Sequence, residues 1–318
     1  MAFLSFIINN ARDALYLGVL WSIMALGVYI TFKVLDIADM TVDGSFAVGG
    51  CTAAVMVASG QDPFLAILVA IILGMAAGAV TGFLHTKLKI PAILAGILTM
   101  LSLYSINLKI LNGKSNVAMP IMGSMKVDTV IDKTMRLTGL STKNTNILFG
   151  VLIAATIVAV LYWFFGTELG SSIRATGNNE YMVRALGVNT DTMKVIGLTI
   201  ANGLVAMSGA IVAQSQRYGD VGMGTGTIVI GLASIIIGEV VFGKNRSFWA
   251  KLISVVTGSV IYRLVIAIVL RMGMNPNDLK LLTAVIVGLS LSFPVIRKYI
   301  IMKKSAIANK RENQREAA

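Results

Sequence analysis

About eight or nine long apolar runs, each near the 20 residues that carry a helix across a bilayer, fill this chain. That property removes most folds from consideration. Of the 318 residues, 56% are hydrophobic and only 13% are charged, whereas a water-soluble domain carries about twice that charged fraction. Lipid is the solvent such a surface requires. The runs also lack the short apolar–polar alternation of a membrane barrel. The expected fold class is an all-α polytopic membrane protein of about 8–10 transmembrane helices. The spans are read at 14–32, 41–59, 64–84, 90–111, 147–166, 195–213, 226–242, 249–270 and 281–297. Residues 1–318 form one transmembrane domain, because no linker separates soluble units.

The net charge of +12 follows topology. The basic residues form no stripe with interleaved aromatics, so nucleic acid is not the expected partner; the lipid bilayer is. Lys and Arg collect on the cytoplasmic side of membrane proteins. Placing residues 167–194 and the tail 299–318 inside also brings Lys33, Lys87, Lys89, Lys244 and Arg246 inside. The N-terminus and residues 113–146 then lie outside, although 113–146 carries five Lys and Arg residues of its own. The start reads as a mature N-terminus, with no basic segment or small-residue cleavage site. A single cysteine, Cys51, allows no intrachain disulfide.

Two segments repeat. DMTVDGSFAVGG begins at Asp39 and DVGMGTGTIVIG at Asp220; downstream of each come LKIPAILAGIL and LKLLTAVIVGL. By alternation of spans, the two copies have opposite orientation. Inverted repeats are a signature of transporters, with the pathway at their interface.

The polar interruption Thr167–Lys194 carries one short helix pattern. Asn178 or Asn179 is an N-cap, Glu180 occupies the first turn, and Gly187 ends the helix as a C′ residue. Asn189, Thr190 and Asp191 begin the next span. A rod over 179–186, lying across the membrane surface between two spans, can fit a partner's groove and transmit its motion.

The run from Asn178, NNEYMVRALGVNTDTMKVIGLTIANGLVAMSGAIVAQ, resembles the coupling-loop region of bacterial ABC-importer permeases in the branched-chain amino acid and ribose group. IGEVVFGKNRSFWAKLISVVTGSVIYRL is similar to the Gly-rich cytoplasmic turn of that family, with Lys244 in place of its second Gly; KVLDIADMTVDGSFAVGG is similar to the stretch after its first helix. The Asp-Met-Thr-Val-Asp-Gly-Ser form and the run from Tyr262 look like the subgroup of tryptophan/tyrosine permeases. The resemblance implies a type II ABC-importer fold. It implies that Asn178, Asn179, Glu180, Met182, Val183, Ala185, Leu186 and Gly187 couple to an ATPase. It also implies a pair of ABC ATPase subunits, an extracytoplasmic substrate-binding protein and a second permease copy. The bacterial cytoplasmic membrane is the implied location and an aromatic or branched-chain amino acid the implied cargo. No cofactor is expected on this chain, with ATP and Mg on the partner ATPase.

Ionisable and polar groups within spans are candidate path residues. Arg263 is placed to hold a substrate carboxylate, to snorkel or to pair with a buried acid; Asn202 and Ser208 line a pore or bridge helices; Asp43, like Asp39, is a cap near a span end before it is a pathway group. Glu239 is expected to pair with Lys244 or Arg246. Gly74, Gly78 and Gly82 recur every four residues and suit close helix packing. The G-x-x-x-x-G-K pattern at Gly238–Lys244 ends in Asn245 where a phosphate loop needs Ser or Thr. His85 has no Cys or carboxylate near it to build a metal site, and no nucleophile, base and orienter set points to an enzyme. Two other designs stay open: the same machinery carrying a nucleoside or sugar, and an ion-coupled transporter or channel.

Overall fold

The computed structural model describes residues 2–120, 127–139, 142–243, 247–271 and 281–285, with single positions at 278, 288 and 292. Within them, α1 (Ala2–Tyr29) continues into a π-helical turn at Ile30–Val34, followed by α2 (Thr41–Ala58), α3 (Pro63–Thr86) and α4 (Ala92–Ile110). Strand β1 (Asn116–Ala118) and α5 (Val130–Thr138) precede α6 (Thr142–Gly166), and two shorter helices, α7 (Glu168–Asn178) and α8 (Glu180–Ala185), lead into α9 (Thr190–Gln216). Strand β2 (Tyr218–Asp220), α10 (Thr227–Phe242) and α11 (Phe248–Arg271) follow. Among the described residues, seven helices are long and apolar enough to span a membrane, and α10 is a shorter apolar one. The eight spans expected between 14 and 270 all coincide with these helices. Of the span 281–297 only the helical residues 281–285, 288 and 292 are described, and the tail 299–318 and the turn residues Lys244 and Arg246 lie outside the described residues.

The packing obeys an exchange rule. Helix α3 packs on α9 and α11 on α1; α2 packs on α9 and α10 on α1; α2 pairs with α3 and α10 with α11. Exchanging α1 with α9, α2 with α10 and α3 with α11 leaves this set of contacts unchanged. That is the inverted repeat, written in helix neighbours. The core lies where α1 and α9 cross beside α2, around Leu20, Met24, Phe46, Leu198, Val205 and Ile211.

The repeated Asp–Gly segments become two recessed helix starts. Helix α10 has 16 residues, about 24 Å at 1.5 Å per residue, short of the roughly 30 Å hydrocarbon core. The missing length is supplied by the non-helical chain before it. Gly219 lies against Gly50 and Ala54 of α2, while Gly224 lies against Asp43 and Ala47. The chain thus descends along α2 by about 10 Å before turning into a helix. Irregular backbone at membrane depth is tolerated where protein surrounds it.

The small-residue stripe of α3 faces α9. A Cβ on Gly74 or Gly78 would overlap backbone carbonyls of Asn202 and Leu198, and one on Gly82 would lie 2.9 Å from Val195 Cα. The two backbones approach as closely as glycine permits.

Charged groups gather at the two ends of the bundle. One end holds α7 and α8, the Lys33–Glu239 pair at 2.9 Å and the Lys89–Asp191 pair at 3.5 Å. Glu239 pairs with Lys33 of the first span, while its expected partners Lys244 and Arg246 lie outside the described residues. The packing of α1 on α10 brings Lys33 to it. The opposite end holds the antiparallel β1–β2 pair and the Lys133–Asp62 and Arg217–Asp132 contacts. Residues 113–146 are more than a loop, since α5 begins with a full capping box formed by Thr129 and Asp132 and ends at Gly139.

Candidate functional site

Helix α8 is short, and its position is fixed by side chains rather than by length. Asn179 is its N-cap, accepting from the Met182 amide at 3.0 Å, and Gly187 follows its end with φ +83°, the left-handed conformation glycine adopts freely. Asn178 is the last residue of α7. Asn189 then caps α9, accepting from the Thr192 amide at 3.2 Å. Glu180 is the fastening point. Its carboxylate accepts from Lys194 at 2.6 Å, Arg184 at 2.7 Å and the Thr190 hydroxyl at 3.2 Å. The Lys194 hydrogen bond above all, then the neighbouring charges of Lys194 and Arg184 with the Thr190 bond, holds the Glu180 carboxyl below its usual range. Two of these partners sit in the first turns of α9, so a force on α8 reaches a span directly.

The outward face of α8 is apolar. Val183 is buried and anchors the inner side, whereas Tyr181 is 85% exposed, Leu186 74% and Met182 about half. Ala185 is also exposed. Large apolar side chains thus stand exposed on a polar rod at the end of the bundle. Of the residues expected to couple, all but Asn178 lie in α8 or in its two flanking turns. Sequence reading missed α7 as a separate helix, although Thr167 caps it through the Gly170 amide. It also missed Lys194 as the anchor, a residue 14 positions from Glu180 that only the turn between them brings close.

The candidate path residues are dispersed. Asp39, near a span end, is only 2% exposed. It accepts from the Thr41 amide at 2.9 Å and from Asn202 Nδ2 at 2.7 Å, and Ser45 donates to Asn202 Oδ1 at 2.6 Å. Thr41 Oγ1 lies 2.6 Å from Thr81 Oγ1, which donates to Thr99 Oγ1 at 2.9 Å. One buried polar chain therefore links α2, α3, α4 and α9. Thr81 and Thr99 went unread because their partners are on other helices.

Asp43 does not cap its own helix. It accepts from the Gly226 amide at 2.8 Å, the Thr227 hydroxyl at 2.8 Å and the Ile228 amide at 3.0 Å, and so caps α10. Ser208 donates to the Leu20 carbonyl at 2.9 Å, so it and Asn202 bridge helices in different directions. Arg263 stacks its guanidinium 3.8 Å from the Trp21 ring centroid. No carboxylate pairs with it among the described residues. His85 bonds to the Ile90 carbonyl, and Gly238 lies in α10 against the Ser254 carbonyl.

Residues 10–291 match the family described as the branched-chain amino acid transport system permease component. The chain belongs to that family. Its relatives include the tyrosine transport system permease protein of Clostridioides difficile, 41% identical over 266 residues, covering 84% of this chain and 85% of that one. The Escherichia coli K12 ribose import permease RbsC is 25% identical over 320 residues, covering 96% of this chain and 87% of that one. The solved PsaBC from Streptococcus pneumoniae in complex with Fab aligns with a TM-score of 0.41 at 16% identity, covering 82% of this chain and 94% of that chain. As a member of this permease family with seven long apolar helices, the chain is a multi-pass ABC permease of the bacterial cytoplasmic membrane, working with ATPase and substrate-binding partners.

Proposed function

We propose that this permease forms the translocation path of an ATP-driven importer for an amino acid, aromatic or branched-chain, as a two-fold homodimer. The family places the chain among transport permeases, and the 41% identity to a tyrosine permease favours an aromatic cargo. The observation that carries the mechanism is the α8 rod, apolar outside and ionically fastened to α9 by Glu180. An ATPase subunit grips Tyr181, Met182 and Leu186 from the cytoplasm, and a paired ATPase needs two such rods, hence two permease copies. ATP and Mg are held by the ATPase, which does the hydrolysis. Closure of the ATPase pair moves α8, the movement passes through Glu180–Lys194 into α9, and the Asp39–Asn202 chain carries it into α2. The end bearing α5 and the β1–β2 pair faces the binding protein.

Proteoliposomes containing the permease, its ATPase and its binding protein test this reading. ATP-dependent uptake of tyrosine, tryptophan or leucine is expected, with none for ribose or a nucleoside. Uptake of a sugar or nucleoside in preference overturns the cargo assignment. Uptake driven by an ion gradient without the ATPase overturns the mechanism.

A further inference from the structure

We infer that the crevice between α1, α6, α7 and α11 holds an anionic phospholipid whose headgroup is gripped by Arg174 and Lys251. Three hollows run together there. The first is an apolar groove of about 600 Å3 walled by Val151, Ala155, Val158, Tyr162, Trp249 and Ile253. The second, about 500 Å3, shares Tyr162 with it and adds Arg174 and Phe248. The third, about 350 Å3, shares Arg174 and Phe248 and adds Lys33, Asp36 and Lys251. The sequence of walls is apolar, then aromatic, then cationic, which is the polarity of a lipid from its chains to its headgroup.

The dimensions and borders agree. From Val151 to Tyr162 the groove follows α6 for about 16 Å, close to one leaflet of a roughly 30 Å hydrocarbon core. At its lower end Trp163 is 71% exposed, with Tyr162 and Trp249 more than half exposed. Exposed Trp and Tyr at one level mark a membrane–water boundary. Below it, Arg174 stacks on Phe248 at 4.5 Å from the ring centroid, which fixes its guanidinium at the mouth. Asp36 also lines the lowest hollow, and Glu239 is engaged by Lys33. Arg174 and Lys251 form no salt bridge with a carboxylate among the described residues.

A second copy of the chain is a poorer occupant. A two-fold contact through this face presents the same patch from both sides and brings like charges towards each other. The assignment to the inner leaflet rests on the orientation proposed above, and anionic lipids enrich that leaflet. Binding itself does not depend on orientation. Because Arg174 belongs to α7, the bound headgroup touches the helix that leads into α8.

The full-length chain in mild detergent is probed by native mass spectrometry and thermal unfolding with phosphatidylglycerol, phosphatidylcholine or inorganic phosphate. The unaltered chain is expected to retain phosphatidylglycerol preferentially, by roughly fivefold per contributing cation, and to unfold at a higher temperature with it. R174Q/K251Q is expected to abolish the preference, and A155W, which leaves both cations in place, to reduce retention of both lipids. Equal retention of the two lipids by the unaltered chain overturns the proposal. So does stabilisation by inorganic phosphate equal to that by phosphatidylglycerol, which assigns the cations to a soluble anion.

Discussion

Replacing Glu180 with Lys tests whether α8 drives α9. Lys194 is 15% exposed and Glu180 32%, so their 2.6 Å contact lies between an exposed ion pair and a buried charged hydrogen bond. About 1.5 kcal/mol is a fair value for it, given 0.2–1 for the former and 1.5–3 for the latter. The Arg184 pair, four residues along the same helix, contributes about 0.5 kcal/mol to the helicity of α8 itself. Losing the Lys194 contact weakens α8 docking by about 1.5 kcal/mol, or roughly 10-fold in the docked-to-undocked ratio. The substitution also sets a cation against Lys194, which pushes the balance further. In proteoliposomes with the complete transporter, E180K is expected to keep ATP hydrolysis while substrate moved per ATP falls at least severalfold. Adding K194E restores an opposite-charge pair and recovers part of the coupling, as contacting residues do in a double-mutant cycle. A wild-type ratio of transport to hydrolysis in E180K refutes the argument that this carboxylate transmits force.

Three other outcomes are expected. G78A forces a Cβ onto the Leu198 carbonyl and costs about 1–3 kcal/mol, lowering the thermal midpoint, whereas G166A, with open space at its Cβ position, leaves it unchanged. D43A strips the α10 start of its cap and costs about 1–3 kcal/mol per orphaned amide, while D43N, which keeps one acceptor oxygen, is milder; intrinsic-fluorescence melts separate the two. Acid loosens α5: burial alone would raise the Asp132 carboxyl, but the Thr129 hydrogen bonds and Arg217 outweigh it and hold it below the usual range. A depressed carboxylate contributes its stability above the unfolded value of about 3.9 and loses it as pH falls below that. Pepsin cleavage within α5 is therefore expected to rise below about pH 4 and to stay flat between roughly 4 and 5.

The spans and the α8 rod were legible because each is local. A run of apolar residues, or an Asn–Glu start with a Gly stop, carries its signal within one turn or one membrane thickness. Gly74, Gly78 and Gly82 were legible as a stripe for the same reason, although not their partner. What was hidden depends on chain segments far apart. β1 and β2 are three residues each and about a hundred positions apart, too short for any periodicity. Glu239 meets Lys33, 206 positions away in sequence. Asp43 looked like a cap for the helix it begins, and only the descent of residues 219–226 makes it the cap of another. The capping box of α5 was present in Thr129–Asp132 but passed over inside a segment read as a loop.

The clasp at Asp43 has a consequence for biogenesis. Its acceptors wait for Ile228, 185 residues later in the chain. A nascent protein leaving the ribosome from its N-terminus inserts α2 with a bare carboxylate and must shelter it in water or in the insertion machinery until α10 arrives. Maturation is therefore gated late, and a chain truncated before residue 226 leaves a charge stranded in the bilayer for quality control to find.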